Sequence, residues 1–312
     1  MVLDALGRPG DHPAVRRLAD AWGGSPLAAR DRAVGEPPYR SRRLSYASGG
    51  ELILHDDLVV AVVLHLLPSR GSRGIDLAAW IPGVTNAATL DVLAAAVPVK
   101  PRFAGVGAPY LPLDGGFARL RFKDGRGWRE PGNLVGITFV RDQPGTTCRP
   151  EDDDCPSCSD LLVRHGEKDA DDTDVAEVDG AVDVPGTIAA LEAAVAACQL
   201  TEDPSWVRLA DLLPLQESGL MPRVESQLGC KTCGRIACLT LFPEAAPRFG
   251  HYVWAEAHRR PLDPIPPVER WGNPTRIAAE QDAMHYVDHE PVGWWSSSAA
   301  SCSSTSGTAS AR

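Results

Sequence analysis

The sequence predicts an α+β protein of two domains: an antiparallel sheet with flanking helices, followed by a domain with a four-cysteine, zinc-ribbon-like site. Three observations lead to this fold class. Short β-branched segments separated by turn residues dominate the first 140 residues, the composition then becomes acidic, and two Cys-x-x-Cys pairs follow. With 312 residues and 44% hydrophobic content, the chain is long enough for two cores.

The first 140 residues read as helix, hairpin, helix and three-stranded meander. A helix is predicted over 12–22, because Pro13 suits a first turn. The pair Asp56-Asp57 separates two strands of a hairpin, 51–55 and 58–67. A second helix is predicted over 86–97 with Thr85 as its cap, since apolar residues recur there at helical spacing. The predicted meander strands are 110–113, 117–122 and 134–140. The residue pattern predicts neither a helix nor a strand for the Arg-rich segment 30–43.

The second half combines a helix over 184–198, a short amphipathic piece over 206–213 and a strand–turn–strand unit over 222–242. A proline-rich connection over 261–267 leads to a helix predicted over 274–285. The expected organisation is an α+β binding module, a Cys-containing acidic linker, a zinc-stabilised α/β module and a disordered tail. Their bounds are 1–140, 141–183, 184–295 and 296–312.

The two Cys-x-x-Cys pairs supply four thiols, the soft ligands that a structural zinc prefers. We therefore predict one structural Zn2+ held by Cys155, Cys158, Cys230 and Cys233. Gly234 lets the backbone fold back toward the ion, which is typical of a zinc-ribbon knuckle. Two further cysteines lie near the pairs: Cys148 could replace a ligand, and Cys238 could do so or pack in a strand core, the interpretation we prefer for Cys238. Cys-x-x-Cys pairs also suit thiol exchange.

Charge is distributed unevenly along the chain, whose net charge is −10. Residues 1–140 carry 17 basic and 13 acidic side chains, whereas residues 141–185 carry 4 and 14. The acidic runs, 151–154 and 169–174, are expected to form a solvated linker, with 166–180 as a mobile tether. This charge argues against nucleic acid as a partner. No apolar run long enough for a membrane span and no signal peptide are recognised, so a cytoplasmic location is expected.

The N-terminal half resembles small α+β domains of bacterial, actinobacterial proteins of immunity or uncharacterised type. The resemblance covers about 35–140 and is carried by extended segments 39–46 and 51–62, the helix opening Pro82-Gly-Val-Thr-Asn-Ala-Ala-Thr-Leu90, and Tyr110, Leu120, Phe122 and Ile137-Thr-Phe139. The helix-then-meander order is also similar to β-lactamase-inhibitor-like domains. This resemblance implies protein binding and supplies no catalytic residue.

We recognise no catalytic constellation, because the chain has neither a Gly-x-Ser-x-Gly elbow nor a P-loop. His285 and His289 stand four apart and could hold a metal, although surface positions are the simpler interpretation. The expected function is non-enzymatic protein binding, in an immunity or inhibitor role against a toxin. The patch Arg40, Arg42 and Arg43 is a candidate surface for an acidic partner. A metal-dependent enzyme and a thiol- or zinc-responsive regulator remain as alternatives.

Overall fold

The computed structural model of the protein describes residues 2–69, 71–104, 108–123, 127–165 and 180–271. Helices occur with one eight-stranded and one four-stranded antiparallel sheet, which confirms the α+β class. The α-helices are α1 (Pro13–Ala21), α2 (Leu90–Ala96), α3 (Val184–Ala196), α4 (Leu209–Glu217) and α5 (Trp254–Ala257). None of the helices in the described ranges is long and apolar enough to cross a membrane.

The larger sheet has the strand order β1-β2-β3-β4-β8-β7-β6-β5. Its strands are β1 (Ala28–Val34), β2 (Tyr39–Ser45), β3 (Gly50–His55), β4 (Leu58–His65), β5 (Arg102–Ala104), β6 (Ala108–Leu113), β7 (Gly116–Phe122) and β8 (Leu134–Val140). The predicted hairpin is confirmed, and both Asp56 and Asp57 have positive φ, as a two-residue hairpin turn requires. The predicted meander is confirmed as β6, β7 and β8.

Two features of the first half were not predicted from the residue pattern. The Arg-rich segment forms β1 and β2, because its polar side chains meet acidic partners from elsewhere in the chain. The second helix starts at Leu90, four residues later than predicted, with Thr89 accepting from the amide of Val92. The residues before it are tied to a loop, because Asn86 accepts from the amide of Leu77 and donates to the carbonyl of Ile75.

The smaller sheet has the order β12-β11-β10-β9. Its strands are β9 (Leu200–Glu202), β10 (Val224–Cys230), β11 (Ile236–Leu241) and β12 (Arg248–Tyr252). The strand–turn–strand unit is confirmed as β10 and β11, and the helix at 184–198 as α3, which Asp183 caps. The amphipathic piece lies later, as α4. The helix predicted over 274–285 and the tail 296–312 lie outside the described residues.

Each sheet has its own apolar core. On one face of the larger sheet, side chains of α1 and α2 such as Leu18 and Leu93 pack against Leu52, Leu64 and Ile137. The smaller sheet packs against α3 and α4. The two sheets meet where Glu36 and Phe249 exchange backbone hydrogen bonds of 2.7 and 3.1 Å. Independent folding of two domains stays a prediction.

Trp22 packs directly on Gly50, the first residue of β3. A Cβ atom at Gly50 would lie 2.2 Å from Cδ2 of Trp22, which is buried. We expect Gly50→Ala to overpack this core and to lower the free energy of unfolding by about 1–3 kcal/mol, measured by urea denaturation. Gly229→Ala in β10 is the matched control, because its Cβ would meet ordinary contacts at 3.7 Å. Equal losses in both variants would contradict the steric explanation.

Candidate metal centre

The four cysteines of the predicted site converge although 75 residues separate the two pairs. Their sulfur atoms all lie within 4.8 Å of one another. The Sγ atoms of Cys155 and Cys230 are 3.8 Å apart, and those of Cys158 and Cys233 are 3.6 Å apart. Tetrahedral coordination with metal–sulfur bonds of about 2.3 Å places sulfur atoms about 3.8 Å apart. The thiol geometry therefore fits one tetrahedral metal ion.

The first pair follows a short 3₁₀ helix, Pro150–Asp154, and Cys155 is the C-cap of this helix. The amide of Cys158 then donates to the carbonyl of Cys155 over 3.3 Å, so the chain turns back and brings the two thiols together. Both cysteines are buried and pack in the core of the smaller sheet. Local turn geometry thus orients these two thiols.

The second pair lies in the turn between β10 and β11. Cys230 ends β10, and the amide of Gly234 donates to its carbonyl over 2.9 Å. Gly234 has φ +75°, a left-handed conformation that glycine adopts without strain. The two Cys-x-x-Cys turns face each other, because Ser157 Oγ and Thr232 Oγ1 share a hydrogen bond of 2.7 Å. The third residues of the two Cys-x-x-Cys turns therefore lie opposite each other.

The other cysteines near the pairs have different surroundings. Cys238 is buried in β11, where desolvation raises the pKa of its thiol. The thiol of Cys148 donates to the carbonyl of His251 over 3.3 Å, and desolvation raises its pKa to about 12. Neither belongs to the group of convergent ligands found among the described residues.

Asp153 connects the cysteine site to the larger sheet and corrects one expectation. The run 151–154 was expected to be solvated, but Asp153 is only 2% exposed. Four donors surround its carboxylate at 2.8–3.1 Å: Tyr39 Oη, Ser41 Oγ, His55 Nε2 and Arg235 Nη1. Because a carboxylate has about four acceptor positions, this group is fully satisfied without water.

The neighbouring acids also face basic residues of the larger sheet. Asp154 accepts from Arg32 at 3.1 Å and from Arg43 at 2.7 Å, and Glu151 pairs with Arg119 and Thr138. These ion pairs explain why an acidic run can lie on a sheet, since each buried charge has an opposite charge beside it. Arg43, which belongs to the predicted arginine patch, is therefore paired with an acidic residue of the same chain. The other members of the patch, Arg40 and Arg42, both pair with Asp31.

Arg235 lies between Asp153 and the thiols. It is 3% exposed and donates to Asp153 and, over 3.6 Å, to the sulfur of Cys158. The Cys158 thiol shares a hydrogen bond with Cys233, which holds the pKa of Cys233 below its ordinary value and raises the pKa of Cys158. A cation beside four sulfur ligands offsets the net negative charge of a four-thiolate zinc complex.

Sequence reasoning missed Asp153 and Arg235 as parts of the site. The sequence signal that could have found them is their position, because Asp153 lies two positions before Cys155 and Arg235 lies two positions after Cys233. The predicted histidine pair, His285 and His289, and the tether 166–180, apart from Gly180, lie outside the described residues. Comparison with protein-family models, curated proteins and solved structures finds no match to this chain.

Proposed function

We propose that the four cysteines hold one structural Zn2+ in a non-enzymatic protein-binding protein. The convergence of four sulfur atoms at tetrahedral separations carries this proposal. Four thiolates complete the usual coordination of zinc, so no position remains for a water or a substrate. Such a closed site stabilises a fold and does not perform chemistry.

The metal acts as a clasp between distant segments. It joins the turn that contains Cys155 to the β10–β11 hairpin, whose own backbone does not pair with that turn. The same segment is bound to the larger sheet through Asp153 and Asp154. One ion therefore stabilises the smaller sheet and the contact between the two sheets.

Protein binding is supported by apolar side chains on the surface. Trp254 is 58% exposed, and Val268 is 62% exposed. Aromatic side chains such as that of Trp254 are enriched at protein–protein interfaces. The immunity or inhibitor role, with a toxin as partner, is proposed from the resemblance of the N-terminal half.

Protein purified without chelators is expected to contain one zinc per chain, measured by elemental analysis. Four thiolates favour zinc over Mg2+ or Ca2+, which prefer oxygen ligands. The variant Cys238→Ala is the control and should retain the metal, because Cys238 lies outside the ligand group. Metal-free protein that is folded at full yield would contradict the proposal.

A thiol-responsive regulator is the second candidate. It is favoured by the 3.6 Å separation of the Cys158 and Cys233 sulfurs and by the partial exposure of Cys233. Treatment with hydrogen peroxide separates the two functions. Reversible zinc release with disulfide formation favours regulation, whereas retained zinc favours the structural role.

A further inference from the structure

The proline-rich segment 261–267 has the sequence Pro-Leu-Asp-Pro-Ile-Pro-Pro. Proline fixes φ near −65°, and a residue that precedes proline is restricted to extended conformations. Every residue of this segment except Leu262 is a proline or precedes one. Pro267 has φ −58° and ψ 142°, close to the polyproline II helix. The sequence thus specifies an extended, stiff segment before any tertiary contact forms.

A polyproline II helix has three residues per turn, so residues three apart share a face. One face carries Pro261, Pro264 and Pro267, all exposed. A second face carries Leu262 and Ile265, which are 53% and 41% exposed, and Val268, which is 62% exposed, begins the short 3₁₀ helix that follows, Val268–Arg270. Two adjacent faces of one segment are therefore apolar and open to solvent. We call residues 261–268 the proline ridge.

The third face binds the protein. Arg223 donates to the carbonyl of Pro261 and, over 3.0 Å, to the carboxylate of Asp263. Trp271 Nε1 donates to the carbonyl of Pro266 over 2.9 Å. These contacts fix the inward side of the proline ridge, so its two apolar faces keep a constant orientation. A ligand ordered in this way loses little conformational entropy on binding.

We propose that the proline ridge docks into an aromatic-lined groove of a partner protein domain that recognises polyproline II segments. Aromatic grooves accept such segments because flat rings pack between residues spaced three apart. Arg259 is exposed before the ridge and Glu269 after it. These opposite end charges give the ridge a direction and favour an acidic group in the partner beside Arg259. The inference rests on the proposed protein-binding function and names its surface.

The test uses the full chain with its metal and two purified probes, a WW domain and a polyproline-binding Src-homology domain, in isothermal titration calorimetry. At least one probe should bind. Ile265→Asp should weaken that binding about tenfold or more, because it places a charge in an apolar contact. Val92→Asp is the matched control, since Val92 is an exposed apolar residue of α2 with similar exposure, 46%. It should leave the affinity unchanged.

The variant Arg223→Ala tests whether the fixed orientation of the proline ridge contributes to binding. This variant leaves every apolar atom of the ridge and the Trp271 hydrogen bond in place but removes the attachment through Arg223, so weaker binding than in the unaltered chain is expected. Zinc content and far-UV circular dichroism show whether each variant is folded.

Two results would overturn the docking proposal: no binding by either probe, or equal losses in Ile265→Asp and Val92→Asp. A natural partner that binds the unaltered chain and Ile265→Asp equally would also reject the ridge, while protein binding itself would stand. Failure of the chain to bind any protein would reject the proposed function.

Discussion

Cys155→Ser is expected to abolish stable zinc binding and to unfold the smaller sheet with α3 and α4. The free energy of zinc binding is folding free energy in such sites, on the order of 10 kcal/mol. That value is comparable with the whole net stability of a single domain, which is usually about 5–15 kcal/mol. Cys155 itself lies in the apolar core of the smaller sheet, so the serine hydroxyl would also be buried there. Loss of the far-UV signal of this region and loss of zinc should coincide.

Cys238→Ala is the matched control for this experiment. Cys238 is at least as buried as Cys155 but lies outside the group of four convergent cysteines, so its loss should remove packing without removing metal. We expect a change of about 1 kcal/mol, the typical effect of a single substitution. If Cys155→Ser unfolds at the same denaturant concentration as the unaltered protein, the metal is not a structural clasp.

The same variant examines the predicted division into domains. The core between the larger sheet and α1 and α2 shares no residue with the core around the cysteines. Amide exchange on the metal-free variant would show whether β3, β4 and β8 stay protected after the smaller sheet opens. Protection would support independent folding, and its loss would show that the two sheets depend on one another.

Local patterns in the sequence were sufficient for the elements with apolar alternation or clear turns. The hairpin of β3 and β4 has β-branched strands and a two-residue turn, and both signals are local. The four convergent cysteines could also be recognised, because the spacing within each pair is a local property typical of a metal-binding turn. The three-residue strands β5 and β9 were missed, since such short segments contain no measurable period.

For a different reason, the residue pattern alone did not predict β1 and β2, and only the resemblance indicated an extended segment over 39–46. The arginines of these strands resemble a solvated segment, just as the run 151–154 resembles a solvated linker. The contacts that explain both join residues more than 100 positions apart, such as Arg43 with Asp154 at a separation of 111. Neither segment alone has an apolar face, so no local period could reveal that they cover each other.

Asp153→Ala is expected to cost about 3–5 kcal/mol at neutral pH, the usual effect of breaking a buried ion pair. The substitution leaves the Arg235 guanidinium buried without its carboxylate partner, and it deprives Tyr39, Ser41 and His55 of an acceptor. Asp160→Ala is the control, because Asp160 is 78% exposed and pairs with Arg32 at the surface. Exposed pairs contribute about 0–1 kcal/mol.

Lowering the pH should reduce the difference in unfolding free energy between the unaltered protein and Asp153→Ala. Burial alone would raise the pKa of Asp153, but the hydrogen bond to His55 and the charges of His55 and Arg235 hold it below its ordinary value. A carboxylate with a lowered folded pKa stabilises the native state above its unfolded pKa, about 3.9, and loses that contribution as the pH falls through the folded pKa. Urea unfolding of the unaltered protein and of Asp153→Ala should therefore differ most near pH 7 and converge below about pH 4.

The double variant Asp153→Ala with Arg235→Met separates the lost ion pair from lost packing. It removes both buried charges, so it should recover part of the stability that Asp153→Ala loses. Recovery would show that the unpaired Arg235 charge causes most of the loss. If the double variant is less stable than Asp153→Ala by the full cost of Arg235→Met alone, the two residues act independently. In that case Asp153 would not be the link that couples the cysteine site to the larger sheet.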